Sequence, residues 1–169
     1  QEVRKKQLKI NMIKEKLFLI LFVLFFNQFE ARGDVMILKL KSGDVEIELY
    51  KDIAPKHVER IKKLSMEKKY DGVVFHRVIE GFMAQTGDVQ FGNSNSESYD
   101  IRRAGTGGSE YPDLKAEFSS IPHERGTLSM ARSSDPNSAN SQFFICFKSA
   151  PHLDRQYTVF GKVIKGMEF

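Results

Sequence analysis

The sequence has no tryptophan, one cysteine and five prolines among its 169 residues. A single thiol, Cys146, excludes an intramolecular disulfide and leaves either redox compartment open. It sits in Gln142-Phe143-Phe144-Ile145-Cys146-Phe147, an apolar run that reads as a buried strand. The thiol is therefore a small core hydrophobe rather than a nucleophile. The histidines (His57, His76, His123 and His152) are scattered, with no i,i+4 pair and no cysteine cluster, so no metal-ligand constellation is present. No internal repeat is visible. The net charge of +4 arises wholly in residues 1–32, which hold seven bases and three acids; the rest carries nineteen of each sign. A balanced domain has no bulk field to draw in phosphates, which argues against a nucleic-acid binder.

Long hydrophobic runs are also missing, with one short exception. Residues 17–26, LFLILFVLFF, are apolar and follow Lys14 and Lys16. Ten helical residues rise about 15 Å, half of a bilayer core of about 30 Å. The pattern fits a secretory signal peptide with Met12 as its start and cleavage after Ala31-Arg32-Gly33. Residues 1–33 are read as this leader, 34–169 as the mature domain, and its destination as the periplasm. The alternative is a leader that stays uncleaved as an inner-membrane anchor. No cysteine follows the apolar run, so a lipid-modified N-terminus is excluded. Arg32-Gly33-Asp34 spells an adhesion tripeptide, but three residues match by chance and the cleavage would split them.

The mature chain reads as many short strands. Val35–Leu40 and Val45–Tyr50 flank a Gly-containing linker and predict a hairpin, with Val45, Ile47 and Leu49 on its apolar face. Pro55 opens a helix that runs to about Lys69, where Tyr70-Asp71-Gly72 signals a turn. Val58, Ile61 and Leu64 form its apolar stripe, while Lys56, His57, Glu59, Arg60, Lys62 and Lys63 are placed in water. Strands are expected at 73–79, 82–86, 127–131, 142–147 and 157–164. Residues 88–112 and 132–141 read as irregular loops. Short strands with at most two helices predict a closed or nearly closed antiparallel barrel.

Little in the chain suggests hydrolysis, since Ser65, Ser129 and Ser141 lack a nucleophile-elbow setting. The Gly-rich Ala104–Gly108 is followed by Ser109-Glu110-Tyr111-Pro112 rather than by a helix N-terminus, so it is no phosphate cradle. His76 reads as a structural histidine with its hydrogen bonds met. The stretch from Phe75 to Asp88 stands out. With the two strands antiparallel, alternation puts Arg77, Met83 and Gln85 on one surface. An arginine there either faces a functional cavity or snorkels to the barrel edge, and the residues alone leave that even.

Phe75-His76-Arg77, Gly81-Phe82-Met83 and Gln85-Thr86-Gly87-Asp88 resemble the first signature of the cyclophilins. Met130-Ala131-Arg132 with Asn140–Ile145 is similar to the second, and Leu153-Asp154 with Val159–Val163 to the third. The resemblance spans 35–169. It implies a closed eight-stranded antiparallel barrel capped by helices, with a C-terminal helix that the sequence would still lack. It implies a peptidyl-prolyl cis–trans isomerase that needs no cofactor or metal, works as a monomer, and acts on proline-containing peptides and unfolded or partly folded proteins. The catalytic arginine falls on Arg77 and the proline pocket on Phe82, Met83, Phe144 and Leu153. Polar substrate contacts fall on Gln85, Gln142 and the Arg132 backbone, with Gly105 and Ala131 lining the adjoining groove. His152 and Tyr157 occupy positions where the family usually has tryptophan and histidine, which implies at most weak cyclosporin binding. The rival reading is a non-catalytic proline-binding chaperone or scaffold on the same fold. As no candidate group changes protonation near neutrality, the resemblance implies a flat pH–activity profile.

Overall fold

The computed structural model describes residues 33–169, together with Glu2. The apolar run 17–26 and the Met12 start lie outside the described residues. Strands β1 (Val35–Lys39) and β2 (Asp44–Leu49) form the expected hairpin, closed at Lys39↔Asp44. Along β2, Val45, Ile47 and Leu49 are buried and the residues between them are not, as a period of two requires.

Helix α1 (Pro55–Met66) starts with proline at its first turn. Its end differs from the expected Lys69 because Lys68 takes a left-handed φ of 57°. The N–H groups of Lys68 and Lys69 then donate to the carbonyls of Ser65 and Leu64, which closes the helix with a Schellman pattern. No side chain of the helix caps its start. The carboxylate of Glu117 does so from a distant loop, accepting the N–H groups of Lys56 and His57 at 3.1–3.2 Å.

Two helix residues expected in water are not there. His57 is fully buried, and its Nδ1 lies 2.6 Å from Glu117. Positions 57, 61 and 64 share one helical face, so the stripe that buries Ile61 and Leu64 carries His57 in with it. Arg60 is also buried, and its guanidinium donates to the carbonyls of Pro112 (2.7 Å) and Asn140 (3.3 Å). The Arg60 guanidinium has carbonyls in place of water, whereas the His57 ring is held through Nδ1 alone, its Nε2 being buried without a partner.

The remaining strands are β3 (Arg77–Ile79), β4 (Met83–Thr86), β5 (Thr127–Met130), β6 (Phe143–Cys146) and β7 (Val159–Lys165). All pairings are antiparallel, in the order β1-β2-β7-β5-β6-β4-β3. The expected strand 73–79 contributes only its last three residues to the sheet. Val73 instead bridges Asn93, and the Val74 N–H donates to Gly92, so a loop takes the pairing groups that β4 would have used. The described residues therefore form a seven-stranded sheet, not the eight strands expected, and no ladder joins β1 to β3 among them.

Strand β6 is buried along its length and separates two cores. Phe143 and Ile145 point to the side filled by Val45, Ile47, Leu49, Val58, Ile61 and Phe160. Phe144 and Cys146 point to the other, with Met83, Ala150 and Leu153. That second, smaller core is where the sheet leaves an opening.

Candidate active site

A cavity of about 210 Å³ opens over the second core, lined by Arg77, Phe82, Met83, Gln85, Ala131, Arg132, Phe144, Leu153 and Tyr157. Its apolar part follows from strand alternation. Met83 on β4 pairs with Cys146 on β6, and Gln85 with Phe144, so Met83, Gln85, Phe144 and Cys146 share a face. Phe82 precedes β4 at a tight turn in which Gly81 has φ 70° and the Phe82 N–H donates to Ile79. Leu153 enters from a 3₁₀ turn (Pro151–Leu153), and Tyr157 meets Phe144 edge-on with ring centroids 5.7 Å apart.

Arg77 is directly opposite Gln85 in the β3–β4 ladder, and its Nη1 donates to Gln85 Oε1 at 3.4 Å. The Gln85 amide then donates to Gln142 Oε1 (2.9 Å), and the Gln142 amide to the Gly107 carbonyl (2.7 Å). This chain fixes which way each amide points. It is the only hydrogen bond of the Arg77 side chain among the described residues, so most of its donors remain free at the cavity wall.

A second, polar groove of about 480 Å³ shares Gln85, Ala131 and Arg132 with the first cavity and extends along Gly105–Ser109, Ser133, Ser138, Asn140 and Gln142. Its glycine wall is held by Asp88. One carboxylate oxygen accepts the N–H groups of Gln90 and Phe91, the other those of Gly105 and Gly107, all within 3.0 Å. Burial alone would raise the Asp88 pKa; the four N–H donors outweigh it and hold the carboxyl below its ordinary range. A Cβ at Gly107 would stand 2.5 Å from Asp88 Oδ1, so this close approach requires glycine.

The structure thus gathers eleven of the twelve sequence-derived site residues around two adjoining hollows. Gly105 and Gln142 line the groove alone. His152 lines neither, but its ring lies 5.6 Å from that of Phe82 at the cavity lip. The Arg132 side chain is occupied: Nε and Nη2 donate to the Gln156 carbonyl, Nη1 to Ser133, and the guanidinium lies 4.4 Å from the Tyr157 ring centre. His76 is not the satisfied histidine expected. Neither ring nitrogen has a partner with full hydrogen-bond geometry, and burial holds its pKa below the ordinary value against the opposing pull of Asp88 and of the Gln142 side chain. Its ring packs where a Cβ on Gly105 would come within 2.9 Å. Cys146 is buried as expected, and burial pushes its thiol up to about 11.

Sequence reasoning missed what lies behind the cavity. His123, fully buried, stacks on Phe144 with centroids 6.1 Å apart and planes 16° from parallel. Its Nδ1 is 2.9 Å from Asp154 and its Nε2 3.0 Å from Ser129 Oγ. The spacing of a Ser-His-Asp triad is present. The serine, however, is wholly enclosed and already donates to the Thr158 carbonyl at 2.9 Å, so no carbonyl substrate can reach it.

Comparison with known proteins points one way. Residues 35–169 match the family model described as cyclophilin type peptidyl-prolyl cis-trans isomerase/CLD. A Brucella suis protein named "Probable peptidyl-prolyl cis-trans isomerase" is 64% identical over 135 residues, covering 80% of this chain and 68% of its own. A peptidyl-prolyl cis-trans isomerase of Arabidopsis thaliana is 44% identical over 133 residues, 79% of this chain and 57% of its own. Among solved structures, a Cryptosporidium parvum cyclophilin-type isomerase, crystallised in the presence of the dipeptide Ala-Pro, superposes with a TM-score of 0.68. It is 32% identical, over 80% of this chain and 81% of that one. A cyclophilin from Hirschia baltica gives 0.66 at 27% identity, over 81% and 66%.

Proposed function

Since the chain belongs to the family of cyclophilin-type peptidyl-prolyl cis-trans isomerases, we propose that the 210 Å³ cavity is where it holds a prolyl ring while the X–Pro bond turns. The activity itself, isomerisation of peptidyl-prolyl bonds, is that of the family and of the relatives. The barrier it must lower is about 18–20 kcal/mol, because resonance gives the C–N bond double-bond character. Uncatalysed turnover takes tens to hundreds of seconds. Reaching milliseconds means a factor of about 10⁴–10⁵, or roughly 5.5–7 kcal/mol.

At the twisted geometry the prolyl nitrogen becomes pyramidal and regains its lone pair. A guanidinium donor aimed at that nitrogen binds the twisted form better than either planar one, and only such differential binding accelerates the reaction. Arg77 is assigned this role. Its charge does not titrate off, and it enters the reaction with donors to spare. Phe82, Met83, Phe144 and Leu153 hold the ring by apolar contact. Gln85, Gln142 and the Arg132 backbone hold the acyl side, with Gly105 and Ala131 along the groove and Tyr157 and His152 at the rim. Donors already oriented by the Arg77–Gln85–Gln142–Gly107 chain need no reorganisation at the moment of reaction.

The observation that carries this reading is the guanidinium of Arg77 on the wall of the cavity that Phe82, Met83 and Phe144 enclose. NMR exchange on a proline peptide, run with wild type and Arg77→Ala, tests it. Acceleration lost in the variant supports the role, and equal rates remove it.

The finer expectations join the proposal. The sheet is extended to a closed eight-stranded barrel with capping helices, supported by the likeness to solved cyclophilins and by β1 and β3 standing at the two ends of the strand order. The substrates are assigned as proline-bearing peptides and unfolded or partly folded clients, bound by a monomer. Cyclosporin affinity is set low by His152. Export to the periplasm rests on the sequence of residues 12–33; no helix among the described residues is long and apolar enough to cross a membrane. The mass of the exported protein tests whether the leader is removed.

A further inference from the structure

We propose that His123 is a positioning residue of the prolyl cavity, which it serves by fixing the spacing of Phe144, Leu153 and Tyr157 from behind. The inference rests on the cavity being the prolyl site.

Three links lead from His123 to three cavity walls. Its ring lies flat against that of Phe144. Its backbone N–H and its Nδ1 both reach Asp154 Oδ1, at 2.8 and 2.9 Å, and Asp154 directly follows Leu153. Its Nε2 reaches Ser129 Oγ, which donates to the carbonyl of Thr158, the residue after Tyr157. Ser129 is itself the ladder partner of Phe144. In addition, the Ala150 N–H donates to the His123 carbonyl, and that of Leu153 to Ala150, so the 3₁₀ turn carrying Leu153 hangs from the same residue.

Both ring nitrogens of His123 are used: Nδ1 faces the Asp154 carboxylate, which can only accept, and Nε2 faces Ser129 Oγ, so the ring cannot turn without losing both contacts. An enclosed side chain held at both ends sets the plane on which Phe144 rests.

The test measures KM and kcat for an Ala-Pro peptide by NMR exchange on the full chain, with Tm recorded for each variant. His123→Gln should raise KM by roughly three- to tenfold while kcat, set by Arg77, stays within about twofold. Ser129→Ala, which keeps the histidine but removes its Nε2 partner, should raise KM in the same direction by a smaller factor, and it carries the test if His123→Gln does not fold. Should KM stay level in both, or should the variants lower only Tm, the role is overturned. Wild-type acceleration and its loss in Arg77→Ala are read in the same experiment. Failure there removes the prolyl-site reading itself, whereas a level KM with both intact removes only His123.

Discussion

Arg77 and Gln85 stand opposite each other on β3 and β4, and the guanidinium makes a single 3.4 Å hydrogen bond to the amide. An exposed arginine with so little holding it contributes almost nothing to the fold, and its conformation costs entropy that structure alone does not repay. Arg77→Ala should therefore leave Tm within about 1 °C and lower kcat/KM by roughly two to three orders of magnitude, equivalent to about 2.7–4 kcal/mol. Arg77→Lys should restore little of it, since a point charge on a flexible stem does not reproduce a planar fork.

Phe144 and Phe82 line the same cavity from different depths. Phe144 is 6% exposed, so Phe144→Ala should weaken peptide binding and also cost about 3–5 kcal/mol of stability in urea titration. Phe82 is only half-buried, so Phe82→Ala should weaken binding with a much smaller stability loss. Equal stability losses for the two would contradict the difference in depth.

Asp88 should be indispensable to the groove but remote from the reaction. Asp88→Asn keeps the volume and removes the charge that four N–H groups share, at a cost of about 1–3 kcal/mol. Amide exchange at Gly105 and Gly107 should accelerate, while that of β5 and β6 should not.

Acid should weaken the fold through His57. Burial holds its pKa below the ordinary 6.5, outweighing the opposite pull of Glu117. Between that lowered value and about 6.5 the unfolded chain binds the proton and the native state does not, so stability rises with pH across the window and is lost as pH falls through it. Tm measured from pH 7 down to 5 should decline, and His57→Gln, which keeps a donor for Glu117, should flatten the decline. An unchanged slope in that variant would assign the effect to another group, such as His76, whose pKa is lowered in the same direction.

Cys146 should resist alkylation by iodoacetamide at pH 8 in the native state. It is buried, and its thiol stays protonated up to about 11. Modification should appear only as the chain unfolds, so its rate doubles as a probe of opening.

The face carrying Arg77, Met83 and Gln85 was legible because period-two alternation is a local property, and a short antiparallel turn at Gly81 transmits it from β3 to β4. The cavity residues Phe144 and Leu153 come from the resemblance, and alternation in β6 accounts for the side on which Phe144 emerges. What could not be read depended on groups far apart in the chain. Helical charge was assigned to water, yet His57 and Arg60 find partners in Glu117, Pro112 and Asn140, which only the fold brings near. Asp88 was visible in its motif, but its role depends on loop N–H groups seventeen and nineteen residues later. His123, Ser129 and Asp154 lie on three separate segments, and no spacing announces them.

Strand β2 lies between β1, its neighbour in sequence, and β7, where Ile47 faces Val163 much later in the sequence. During synthesis the hairpin emerges long before β7 and must wait with one side of β2 unpaired. Long closures are slow to form, and an open strand edge invites foreign pairing in the interval. A member of a prolyl-isomerase family is thus exposed, in its own biogenesis, to the hazard of a late partner. A ribosome-bound nascent chain stopped before β7 should be protease-sensitive throughout.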